Sequence, residues 1–131
     1  MRRFETHVSI VFLTGERAIK LKKAVKFPYL DYSTIEKRKY FCEREVELNR
    51  RTAPGLYLGA EPVTIDGEIE DWVVAMRQFD NDTLFDKLDI TPAIARDLAD
   101  RIAAFHDEAE VTPGFGGAQE MARIIEANAR R

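Results

Sequence analysis

The chain has 131 residues, 45% of them hydrophobic, with 20 basic and 23 acidic side chains and a formal net charge of −3. Such a length and apolar content support a globular core and exclude a disordered class, while the near balance of charge offers no general surface for nucleic acid or anionic membrane. Any anion site must therefore be local. The single cysteine, Cys42, excludes an internal disulfide framework and fits a reducing, cytoplasmic setting.

In chain order, the start "MRRFETHVSIVFL" is basic, but its apolar run of about four residues is too short for a secretory or membrane segment. "HVSIVFL" and "RAIKLKKAV" are two β-rich runs around a Thr14-Gly15-Glu16 turn, and Phe27-Pro28 ends the second because proline cannot continue a ladder. Ser33 and Glu36 have capping-box spacing and predict a helix to the neighbourhood of Arg51, stopped by Pro54-Gly55. A second hairpin is predicted from Glu61–Ile65 and Trp72–Met76 around Asp66-Gly67. A short helical piece follows near Thr83–Leu88. Thr91 and Pro92 then open a helix to about Glu108, with Ile94, Leu98, Ile102 and Phe105 at helical spacing, and "AQEMARIIEANARR" predicts a last helix. The order implies an α+β fold, a small antiparallel sheet with one long helix followed by helices only.

One residue on the first helix stands out. At roughly 100° per residue, Phe41, Cys42 and Leu48 fall within about 60° of Glu45, whereas Glu43 and Glu47 point the other way. A carboxylate in an apolar arc requires a partner, because desolvating a lone ion costs several kcal/mol. Alternation along the preceding strand puts Ala18, Lys20 and Lys22 on one face and Ile19 and Leu21 on the other. With Ile19 and Leu21 packed on the helix, the lysines would look into the concave side of the sheet, where a lysine pinned by Glu45 is a preorganised point charge for a phosphate. In the alternative reading the two lysines are solvated and Glu45 reaches the rim.

The run "ETHVSIVFLTGERAIKLKKAVKFPYLDYSTIEKRKYFCEREVELNRRTAPGLYLGAEPVT", with "WVVAMRQF" and "LADRIAAFH", resembles the aminoglycoside phosphotransferase-like family of kinase-fold proteins, nearest to a bacterial branch sometimes fused to a P-loop kinase domain. The resemblance implies a kinase-like amino-terminal lobe with hinge over residues 1–79 and the start of a helical lobe over 80–131, with ATP between them. "Ala18-Ile19-Lys20" is similar to the kinase V-A-I-K strand, with Lys20 on the α- and β-phosphates, Lys22 as the other candidate, and Ala18 leaving room for adenine. "Cys42-Glu43-Arg44-Glu45" resembles the helix motif whose last glutamate pairs with that lysine. "Thr6-His7-Val8-Ser9" takes the place of the loop over the phosphates, offering backbone N–H groups and the Ser9 hydroxyl. Met76 would back the adenine, and backbone groups of Arg77 and Phe79 would bond its edge.

The family's catalytic aspartate, magnesium-binding asparagine and later metal-binding aspartate have no counterpart in these residues, so no catalytic or metal residue is assigned. His106-Asp107 lies in the last turn of a helix, at the wrong point in the order for a catalytic loop. His7, Cys42 and His106 lack metal-ligand spacing. The resulting expectation is the ATP-binding portion of a small-molecule phosphotransferase, using ATP and Mg²⁺ in its parent and inactive alone; the alternative is a non-catalytic kinase-fold interaction module. Its expected partners are a nucleotide, a small-molecule acceptor in the parent and a second copy of the chain, covering Ile94, Leu98, Ile102, Met121 and Ile125, with neither nucleic acid nor membrane among them.

Overall fold

A computed structural model describes residues 1–130. It has an α+β fold in two compact units, Met1–Thr91 and Pro92–Arg131. The first unit contains strands β1 (Arg2–Glu5), β2 (Ser9–Leu13), β3 (Arg17–Lys22), β4 (Lys26–Phe27) and β5 (Leu30–Asp31), helix α1 (Ile35–Arg50), and strands β6 (Tyr57–Ile65) and β7 (Glu68–Arg77). Two short 3₁₀ turns, Asn81–Thr83 and Phe85–Lys87, follow. The second unit holds helices α2 (Pro92–Glu108) and α3 (Ala118–Ala129). Among the described residues no helix is long and apolar enough to cross a membrane.

Five strands form one antiparallel sheet in the order β1-β2-β3-β7-β6, and β4 and β5 form a separate small hairpin. The Asp66-Gly67 turn works because both residues adopt positive φ, 50° and 88°, which matches the twist of the flanking strands. The chain leaves the sheet after β3, forms α1 and returns through β6, so that β7 closes against β3. This places residues distant in sequence in cross-strand register: Lys20 is opposite both Val11 and Val74, and Ala18 is opposite both Leu13 and Met76.

That register decides which sheet face meets α1. Cys42 and Val46 of α1 are buried with Val74, and Tyr57, Ala60, Trp72 and Met76 pack around them. Residues directly opposite on neighbouring strands share a face. The face that carries Lys20 and Val74 therefore packs on α1, not the Ile19/Leu21 face expected from alternation alone. Arg38 adds a second fastening, donating through Nε to Asp71 Oδ1 at 2.7 Å and through a terminal nitrogen to the Tyr32 carbonyl at 3.0 Å. At the other end of α1, the Arg50 guanidinium donates to the carbonyls of Tyr57 and Leu58.

Local boundaries differ from expectation at several points: β6 and β7 begin at Tyr57 and Glu68, each about four residues earlier than predicted. Thr34, not Ser33, caps α1 by accepting the Lys37 N–H, because Ser33 is already bound through its N–H and hydroxyl to Asp31. The strand before Pro28 stops at Lys22: the Lys23 N–H turns back to the Val8 carbonyl, and the Val25 N–H closes on the Lys23 carbonyl. Phe27 belongs to the separate β4–β5 hairpin instead. Finally, Arg2–Glu5 is an edge strand that alternation did not suggest, its four residues all being exposed.

Candidate functional site

Strand β3 and helix α1 bring three charged side chains to one point. Lys20 Nζ donates to Glu45 Oε1 at 2.9 Å, and Lys22 Nζ donates to Glu45 Oε2 at 2.5 Å. The lysines are two residues apart on an extended strand, so both ammonium groups leave the same face. Glu45 comes to meet them because the Cys42 and Val46 positions of α1 are turned into the core beside it. Of the two sequence readings, the one with a partnered Glu45 agrees with this geometry, and the one with two solvated lysines does not.

The lysines differ in surroundings. The Lys22 side chain is only 2% exposed, against 30% for Lys20 and 15% for Glu45. Lys22 also lies over the Tyr32 ring, 5.1 Å from its centroid, a cation–π contact strengthened by desolvation. Burial alone would lower the Lys22 pKa, but the hydrogen bond and charge of Glu45 outweigh it and the ammonium is held above its ordinary value. For Glu45 burial acts upward, and the bonds and charges of Lys22 and Lys20 bring its carboxyl below the usual range. Two ammonium groups on one carboxylate leave one positive charge over within this trio. Nearby Cys42 is a poor nucleophile, since burial pushes its thiol up to about 11.

On the same sheet face, an apolar cleft of about 310 Å³ is lined by Phe4, Val11, Leu13, Ala18, Met76 and Phe79, with Gln78 and Asn81 at its polar edge. Ala18 and Lys20 are alternate residues of β3, so the backbone of Lys20 stands one pleat, about 7 Å along the strand, from that of Ala18 in the cleft floor. A slot of this size and lining suits a flat apolar ring system. A more polar cavity adjoins it, with Arg2, Gly15, Gln78, Asp80 and Asp82 among its walls.

The remaining residues singled out from sequence are placed as follows. Ala18 and Met76 face each other across the β3–β7 ladder and both line the cleft. Phe79 lines it from beyond the end of β7. The Arg77 N–H is committed to the Leu56 carbonyl at 2.8 Å, so of its two backbone groups only the carbonyl could meet a ring edge. Ser9 is buried as the first residue of β2, opposite Lys22. The Thr6 N–H is used by the Ser9 carbonyl, and the Val8 and Ser9 N–H groups by Thr6 Oγ1. Those three backbone donors are therefore already engaged within the Thr6–Ser9 turn.

Sequence reasoning missed the Arg38–Asp71 pair and the burial of Lys22. Charged residues at these positions read as solvent-facing by default. The only signal available was Lys22's place on the same strand face as Lys20.

Among the described residues no group of three or more His, Cys, Asp or Glu side chains could hold a metal ion. In an alignment 112 residues long that covers 81% of the chain, it is 37% identical to an uncharacterised protein of Mycobacterium bovis, and to the same extent to uncharacterised proteins of two Mycobacterium tuberculosis strains. The chain spans 22% of the length of these relatives. No protein-family model and no solved structure matches it.

Proposed function

We propose that residues 1–79 are a kinase-like nucleotide-binding lobe, and that the chain is the ATP-binding portion of a small-molecule phosphotransferase of the aminoglycoside phosphotransferase-like kind. The observation that carries this reading is the Lys20–Glu45 pair at 2.9 Å, standing one pleat from an apolar cleft floored by Ala18 and Met76. Adenine fits the chemistry of the cleft, with the Arg77 carbonyl and the backbone at Phe79 as polar partners for its edge. Lys20, the more exposed lysine, fits the α- and β-phosphates as a held point charge.

The same residues do not suit Mg²⁺. Both oxygens of Glu45, the carboxylate of this cluster, are taken by ammonium groups. No metal ligand is therefore assigned in this chain, and without one the lobe binds nucleotide but does not transfer phosphate at a useful rate. Self-association through the second unit belongs to the proposal, since Leu98, Ile102, Met121 and Ile125 are 39–61% exposed. A monodisperse monomer in light scattering would remove that part alone.

Saturation-transfer NMR with ADP tests the nucleotide reading, because the method reads weak, fast-exchanging complexes of the kind a lone lobe forms. Transfer to the adenine H2 and H8 protons is expected in the unmodified chain, with loss of affinity in Lys20→Met. Absence of transfer would leave the alternative, a non-catalytic interaction module in which the ion cluster serves the fold only.

A further inference from the structure

We infer that Lys22 is a positioning residue: it clamps Glu45 through Oε2, so that Lys20 can leave Oε1 for a phosphate oxygen without uncovering a bare buried carboxylate. This rests on the nucleotide-binding reading and specifies how its anion subsite works.

A single lysine–glutamate pair is self-neutralising. Drawing its ammonium to a phosphate takes a counter-ion from a carboxylate that is largely withdrawn from water, which opposes ligand binding. Here Glu45 is 15% exposed and has two cations, one on each oxygen. Lys22 is the partner that stays. At 2% exposure, over the Tyr32 ring and 2.5 Å from Oε2, it reaches a ligand only by giving up both contacts. Lys20 has one such contact and is 30% exposed on the cleft side of the same strand face. The trio's surplus positive charge is thus carried by a mobile ammonium, and its immobile part keeps the carboxylate paired whether or not an anion is bound.

The test is a double-mutant cycle on the full 131-residue chain, with inorganic tripolyphosphate as the probe, affinity read by calorimetry and folding checked by circular dichroism. Lys22→Met forces Lys20 to serve Glu45 alone, and affinity should fall about tenfold, the scale of one charge-assisted hydrogen bond. In a Glu45→Gln background there is no carboxylate to clamp, and the same change should alter affinity by less than about threefold. Equal losses in both backgrounds would make Lys22 a direct phosphate ligand, and no loss in either would make it purely structural; each overturns the inference while the nucleotide reading stands. Lysine acetylation of the unmodified chain, followed by mass spectrometry, decides the matter should Lys22→Met not fold. Lys20 should react and be protected by tripolyphosphate, with Lys22 unreactive throughout. Protection of Lys22 in place of Lys20 overturns the inference. Failure of the unmodified chain to bind tripolyphosphate, with neither lysine protected, overturns the underlying reading as well.

Discussion

The two units bury charge in opposite ways. In the first, Lys22, Arg38 and Ser9 are buried polar residues, with the lysine and the arginine paired to carboxylates on other elements. In the second, neither helix has a buried residue, and the ion pairs, such as Asp97–Arg101 and Glu120–Arg123, join neighbours one turn apart on a single helix. Long-range buried pairs fix one element against another, so losing a partner strands a charge. Local exposed pairs adjust a helix that water already solvates. The chain thus places its costly electrostatics where the candidate site lies.

Glu45→Ala should break this contrast most severely. It leaves the Lys22 ammonium buried with no carboxylate and should remove about 3–5 kcal/mol from the stability of the first unit in urea denaturation. Glu120→Ala on α3 removes a carboxylate that is also paired but far more exposed, at 44%, and should leave the urea midpoint unchanged. Comparable losses from the two would show that burial is not what separates them.

A smaller effect is expected from pH. The folded-state pKa of Glu45 lies below its ordinary 4.5, so its contribution is present above that value and is lost as pH falls through the folded pKa. The folded-state pKa of Lys22 lies above 10.5, so its contribution is complete below 10.5 and is lost as pH rises through the folded pKa. Urea midpoints of the first unit should accordingly hold level from about pH 5 to 10 as far as this cluster is concerned, and fall on either side. Added salt should hardly alter that profile, since partly buried pairs are weakly screened. A profile that collapses in salt would mean that the cluster is solvated.

Much of this contrast could be read before any coordinates. Glu45 announced itself by standing in an apolar arc, and Asp66-Gly67 and Thr91-Pro92 placed a hairpin and a helix start through local chemistry that needs no distant partner. What could not be read was set by distant partners. Which face of β3 meets α1 depends on β7 inserting between β3 and β6, some 50 residues along the chain. Arg2–Glu5 forms a strand because β2 offers a ladder, not because its charged sequence favours extension. Arg38 likewise looked like one more solvated helix cation until Asp71 and the Tyr32 carbonyl were brought to it by the fold.

Lys20→Met sharpens the comparison inside the cluster itself. Glu45 keeps its Lys22 partner, so the change should cost about 1 kcal/mol or less, well short of Glu45→Ala, while weakening anion binding. A loss of stability as large as that of Glu45→Ala would show that Lys20 is fixed in the fold and not available to a ligand.

The smallest effect belongs to the second unit. Asp97 and Arg101 are four residues apart on α2, the acid nearer the amino terminus, an orientation that favours the helix. Both side chains are largely exposed, so Arg101→Ala should change the unfolding free energy by no more than about 0.5 kcal/mol. It should instead appear as slightly faster amide exchange near that turn, because local opening samples a single helical turn before the unit unfolds. If Arg101→Ala shifted the urea midpoint as far as Lys20→Met does, an exposed one-turn pair would be bearing as much load as a contact between strand and helix. The division between a unit held by its buried ions and a unit held by its helical backbone would then fail at its weakest point, where a difference is easiest to detect.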